Sequence, residues 1–218
     1  MTKIPVYFMP GLAANASIFE RIILSETHFE KVFLEWEIPL ENETLSEYAK
    51  RISQKIHHPN PVLIGVSFGG ILVQEMARFV DVRKVIIISS VKSNLEFPRR
   101  MKLAKAIKAY RMFPTNWVSN FENWIKTIFG SKADRQIQLY QKFLSVRDKR
   151  YLDWAMREVI LWDRVVADEN IIHIHGDADA VFPIKYISNC ITVKGGTHIM
   201  ILSKYKWLNE NLPRIILE

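Results

Sequence analysis

Glycine is scarce in this chain, 8 residues of 218, and three of the eight fall in one hexapeptide, Gly65-Val66-Ser67-Phe68-Gly69-Gly70. The hexapeptide follows the apolar run Pro61-Val62-Leu63-Ile64 and precedes the helical pattern Ile71 to Ala77. G-x-S-x-G between a strand and a helix describes a sharp turn that lifts a serine hydroxyl clear of the sheet. A serine there takes a strained, positive φ, and side chains flanking it would collide with the strand and the helix, so hydrogen is wanted on either side. The pattern predicts a strand, a turn and a helix with Ser67 at the apex.

A hydroxyl reacts only when a base and an orienting acid stand beside it. Two later segments offer them. Ile171 to His175 reads as a short buried strand, followed by the polar loop Gly176-Asp177-Ala178-Asp179-Ala180-Val181-Phe182-Pro183. Cys190 to Val193 reads as another strand, running into Lys194-Gly195-Gly196-Thr197-His198 and a helix-like stretch from Met200 to Leu212. The order Ser67, Asp179, His198 is serine, acid, histidine. Asp177 shares the turn and is the alternative acid; an aspartate in such a loop is commonly a turn residue. The spacing from Gly176 and the following Pro183 favour Asp179.

With these segments in place the chain resembles the α/β-hydrolase family over nearly its whole length. Gly65 to Gly69 matches the family's serine turn, Gly176-x-x-Asp179 its acid loop and Gly195-x-x-His198 its histidine loop. A fourth match is the strand Ile4 to Met9 leading into Pro10-Gly11-Leu12-Ala13. The family commonly has His-Gly where this chain has Pro10-Gly11. The resemblance implies an oxyanion hole built from the backbone amides of Leu12 and Phe68. It also implies a serine hydrolase of carboxylic esters or thioesters acting through an acyl-enzyme on Ser67, with no metal or organic cofactor. The same fold and triad also serve carbon-carbon bond hydrolysis or lyase chemistry, and a non-catalytic binding protein can retain them, because a fold does not name a substrate.

Strands are expected at 3–9, 31–36, 61–66, 84–90, 170–175 and 190–194, and helices near 16–24, 44–57, 69–80 and 200–212. The alternation implies an α/β chain, a mostly parallel sheet of about six strands with helices on both faces. No linker divides it, so residues 1–218 form one domain. The interval 91–169 interrupts the alternation. In the family an insertion here is a helical cap, and Trp117, Phe121, Trp124, Phe129, Tyr140, Phe143, Trp154 and Trp162 lie in it; most such aromatics pack the insertion onto the body.

The formal charge is +7, much of it from Lys92, Arg99, Arg100, Lys102, Lys105, Lys108 and Arg111 against one acid, Glu96. Leu103, Ile107 and Tyr110 recur at helical spacing, so the lysines are expected off the apolar face, as a solvated surface. The sharper alternative is recruitment of an anionic acyl substrate or an anionic membrane surface. No nucleic-acid motif accompanies the charge. His173 and His175 alternate on a strand and share a face, yet no carboxylate cluster or second cysteine completes a metal site, so they are expected to anchor core or loop, and His57-His58 to end a helix. A single Cys190 excludes an internal disulfide. Pro5, Pro10 and Gly11 interrupt the first apolar run, and no stretch reaches bilayer-spanning length, so the cytoplasm is the expected compartment.

Overall fold

Apolar side chains cover both faces of β1, β3 and β4, and the chain buries them by laying helices on each side. In the computed structural model, residues 2–106, 143, 145, 146 and 148–218 are described. Six strands, β1 (Ile4–Met9), β2 (Phe29–Phe33), β3 (Val62–Val66), β4 (Lys84–Ile88), β5 (Ile172–Gly176) and β6 (Ile191–Val193), form one sheet. Its order is β2-β1-β3-β4-β5-β6, and every neighbouring pair is parallel.

Tyr7, Met9, Leu63 and Ile87 point into one core with helices α1 (Leu45–Ser53), α2 (Phe68–Met76) and α4 (Lys149–Leu161). Val6, Phe8, Ile64, Ile86 and Ile174 point into a second core with α6 (Tyr205–Leu217). This two-sided burial is why the strands read as unbroken apolar runs. The remaining helices are α3 (Arg99–Ala106) and the single turn α5 (Met200–Ser203). Thr44 and Glu47 form a reciprocal capping box that starts α1.

Three expected elements differ. The helix near 16–24 is only a 3-10 turn over Ala16–Phe19; beyond it Ile22 and Leu24 are buried and Ile23 is exposed, an alternation that an extended segment satisfies and a helix does not. The strand expected at 31–36 pairs instead from Phe29, opposite Ile4. Trp36 has left the sheet, and its indole N–H donates to the Gly11 carbonyl at 2.9 Å. The single last helix breaks at Lys204 and then continues through Pro213 to Leu217. Proline removes one helical hydrogen bond, and the burial of Leu212, Ile215 and Ile216 on the sheet keeps the helix going.

Close backbone approach accounts for the glycines at the sheet's C-terminal edge. A Cβ on Gly69 would lie 2.3 Å from the Pro10 carbonyl oxygen, and one on Gly176 would lie 2.1 Å from that of Gly196. Gly69→Ala is therefore expected to lower stability by on the order of 3 kcal/mol through overpacking against backbone. The check is the urea midpoint at constant m-value; an unshifted midpoint would show that the turn yields without strain.

Candidate active site

The strand ends gather the expected residues. Ser67 follows β3 at φ 52° and ψ −118°, a conformation held from both sides. Its N–H donates to the Ile88 carbonyl at 3.0 Å, and the Ser90 hydroxyl donates to its carbonyl at 2.7 Å. The Ser67 Oγ lies 2.8 Å from His198 Nε2, and His198 Nδ1 lies 2.9 Å from Asp179 Oδ2. The carboxylate sets the tautomer: Nδ1–H donates to Asp179, which leaves Nε2 to accept from the hydroxyl.

Asp179 is buried, and its Oδ1 accepts the N–H groups of Val181 and Phe182 at 2.8 and 2.9 Å. Burial pushes its carboxyl pKa up, but the His198 charge and hydrogen bond outweigh that and hold it below the ordinary value. Asp177 does something else. Its carboxylate accepts the Gly195 N–H at 2.6 Å, fastening the loop after β5 to the loop after β6. The structure thus brings Asp179 to His198 and gives Asp177 a loop-tying contact.

Leu12 and Phe68 lie beyond adjacent strand ends, since Met9 and Gly65 are register partners. Phe68 is the first residue of α2, so its N–H is among those that no carbonyl of the same helix accepts. The Leu12 turn is pinned on both sides. The Gly11 carbonyl accepts from Trp36, and Trp36 stacks on Phe68 at 4.9 Å between ring centres. Ala13, at φ 62°, donates its N–H to the Tyr151 hydroxyl at 3.2 Å. Its carbonyl accepts from the N–H groups of Ser145 and Val146, both at 3.1 Å.

No protein-family model matches the chain, and no curated protein does. Solved structures match along almost all of it. A lipase-esterase related protein from Clostridium acetobutylicum is 18% identical with a TM-score of 0.68, over 96% of this chain and 93% of that one. A carboxylesterase structure from Nitrososphaera gargenis is 14% identical with a TM-score of 0.72, over 99% and 90%. The enol-lactonase from Burkholderia xenovorans is 11% identical with a TM-score of 0.70, over 100% and 93%. The chain has the α/β-hydrolase fold.

Beyond β4 of this α/β-hydrolase fold Arg99, Arg100 and Lys102 are exposed, as expected from sequence, while most of the segment's described cations also bond backbone carbonyls. Lys92 is buried, and its Nζ donates to the Asn189 carbonyl at 3.4 Å. Arg100 donates to the carbonyls of Ala180 and Val181 in the acid loop, at 2.9 and 3.0 Å. Lys102 donates to the Leu95 carbonyl at 2.7 Å. Lys105 reaches the last carbonyls of α4, Leu161 and Trp162, at 3.1 and 3.3 Å, a favourable place for a cation. Leu103, expected on the apolar face, is exposed. Lys108, Arg111, Ile107 and Tyr110 lie outside the described residues. So do Trp117, Phe121, Trp124, Phe129 and Tyr140. The described aromatics of the interval are packing residues: Phe143, Trp154 and Trp162 are buried, and the two indoles donate to the Glu43 carbonyl and the Glu75 carboxylate.

His173 and His175 share the face opposite Ile174, with His173 Nε2 3.0 Å from His175 Nδ1. Burial is the main cause that lowers both pKa values, and the His175 and Lys92 charges push His173 down further. A histidine whose folded pKa lies below the unfolded 6.5 takes up its proton only on unfolding, so its contribution is present above that value and lost as pH falls. Wild-type stability is expected to decline between about pH 7.5 and 5, and His173→Phe to flatten that slope. Urea midpoints across this range decide; equal slopes in the two proteins would refute it. Among the described residues no group of three or more His, Cys, Asp or Glu side chains converges as a metal site would require, and no helix is long and apolar enough to cross a membrane.

Trp36, Tyr151 and Arg100 brace the site without having been expected to, while His175 anchors the acid loop as expected of a core- or loop-anchoring residue. Trp36 and Tyr151 carry no local signal, since their partners are 25 and 138 residues away in the chain. The alternation of His173 and His175 did mark a shared face, but not what it supports.

Proposed function

We propose that the chain is a serine hydrolase that cleaves a carboxylic ester or thioester through an acyl-enzyme on Ser67. The observation that carries this is the continuous hydrogen-bonded line from the Ser67 hydroxyl through His198 to Asp179, at 2.8 and 2.9 Å. The Ser67 hydroxyl attacks the acyl carbon while His198 Nε2 takes its proton, and His198 then returns that proton to the leaving alkoxide or thiolate. Asp179 keeps the imidazole in the tautomer that can accept and stabilises the imidazolium that forms. The amides of Leu12 and Phe68 are the proposed donors to the developing oxyanion, a kind of contact whose loss costs roughly 2.7 to 4 kcal/mol. Water then enters by the same base and releases the acid. The segment 91–169 is proposed as the cap of this site.

The matched structures named for esterase and lactonase activity support acyl-oxygen cleavage. A panel of p-nitrophenyl esters and acyl-CoAs at two salt concentrations tests this. Turnover is expected on short neutral esters, with kcat/KM changing little as the Debye length shrinks from about 10 Å at 0.1 M to about 3 Å at 1 M. A strong preference for acyl-CoA that salt abolishes would assign the substrate to the anionic class.

A further inference from the structure

We propose that His175 is a positioning residue for the acid of the triad, and that His173 behind it fixes the tautomer in which it works. The proposal rests on the reading of Asp179 and His198 as triad members. His175 Nε2 lies 2.8 Å from the Phe182 carbonyl oxygen and 3.6 Å from Asp179 Oδ2. A carbonyl only accepts, so Nε2 carries the proton and donates, and Nδ1 is left as a lone pair. His173 Nε2, 3.0 Å away, then donates to that lone pair. The chain of donors ends at His173, a buried ring whose other polar neighbour is the Ser90 backbone.

Two consequences follow for Asp179. The residue held by His175 is the one whose N–H donates to Asp179 Oδ1 and whose ring meets His198 edge-on, at 5.4 Å between centres. Fixing the Phe182 carbonyl therefore fixes both the carboxylate and one wall of the imidazole pocket. The second consequence is electrostatic. An imidazolium at position 175 would sit against Asp179 Oδ2 and compete with His198 for its charge, whereas a neutral ring leaves that charge to the imidazolium formed in catalysis. The other charged groups around the pair are Lys92, which disfavours a proton on His173, and Glu96, which favours one on His175. Glu96 is itself engaged by the Lys92 N–H at 2.6 Å and the Ser188 hydroxyl at 2.9 Å.

The test compares His175→Gln, whose amide nitrogen can occupy the Nε2 position, with His175→Asn, whose amide is one methylene short of the carbonyl. His173→Phe removes the donor to Nδ1. Two quantities are measured on the full chain: the rate of covalent labelling by a fluorophosphonate, and the downfield proton resonance of His198 Nδ1–H in its bond to Asp179. His175→Asn is expected to slow labelling by about 10- to 100-fold, the scale for a small misplacement of a catalytic group, and to move or broaden the resonance. His175→Gln is expected to keep most of the rate and the resonance, and His173→Phe to lie between the two. Matching rates and resonances in the Asn and Gln variants would overturn the proposal, and a wild-type-like His173→Phe would remove His173 from it. Absence of labelling in the wild type would sink the hydrolase reading alone, since the resonance still separates the Asn from the Gln variant.

Discussion

Ser67→Ala is expected to abolish covalent labelling by a fluorophosphonate and to lower ester turnover by on the order of 10⁶, the scale seen when the nucleophile of a comparable triad is removed. The fold is expected to survive, because alanine keeps the backbone of the turn and the bonds to Ile88 and Ser90 are made by main-chain groups of residue 67. The neighbouring serines are poor substitutes. Ser89 also has a positive φ, of 49°, but it is fully buried and its hydroxyl has no hydrogen-bond partner. Ser90 is buried with its hydroxyl directed at the Ser67 carbonyl. Peptide mapping of the wild-type adduct makes the result decisive: a modification on any serine other than Ser67 overturns the assignment of the nucleophile.

Asp179→Asn is expected to reduce turnover by about 10⁴ with the fold intact, since an amide in that place favours the wrong tautomer of its histidine. Asp177→Asn is expected to cost far less. The asparagine keeps a carbonyl oxygen that can accept the Gly195 N–H, so the tie between the two loops survives. Steady-state kinetics on both variants, with circular dichroism to confirm folding, separates the two. Losses in the opposite order would move the acid to Asp177.

The parts of this molecule that were legible in the sequence are those in which a local pattern has one steric solution. Gly65 and Gly69 around Ser67 admit a strand-turn-helix and little else, and the structure has it, with Ser67 at φ 52°. The buried strands announced themselves as apolar runs, and their ends carried Asp179 and His198 to one edge of the sheet. The misread parts depend on distant partners. Residues 22–24, expected to continue a helix, form none, because the body buries Ile22 and Leu24 and leaves Ile23 outside. The cations of α3 read as a solvated face by spacing, and Arg99, Arg100 and Lys102 are exposed. Two of the α3 cations, Arg100 and Lys105, also bond carbonyls of the acid loop and the end of α4, up to 81 residues away, and no periodicity reports such a bond.

The ties between Ala13 and the stretch that leads into α4 limit how this chain can be re-engineered. Ser145, Val146 and Tyr151 all bond to Ala13, next to the amide proposed to receive the oxyanion. The interval between β4 and β5 is therefore not an exchangeable cassette. A graft from another chain of this fold, joined cleanly at the strand ends, would leave a buried carbonyl and a buried N–H of residue 13 without partners and free the Leu12 turn to wander. The last few residues before α4 and its first turn have to travel with the body.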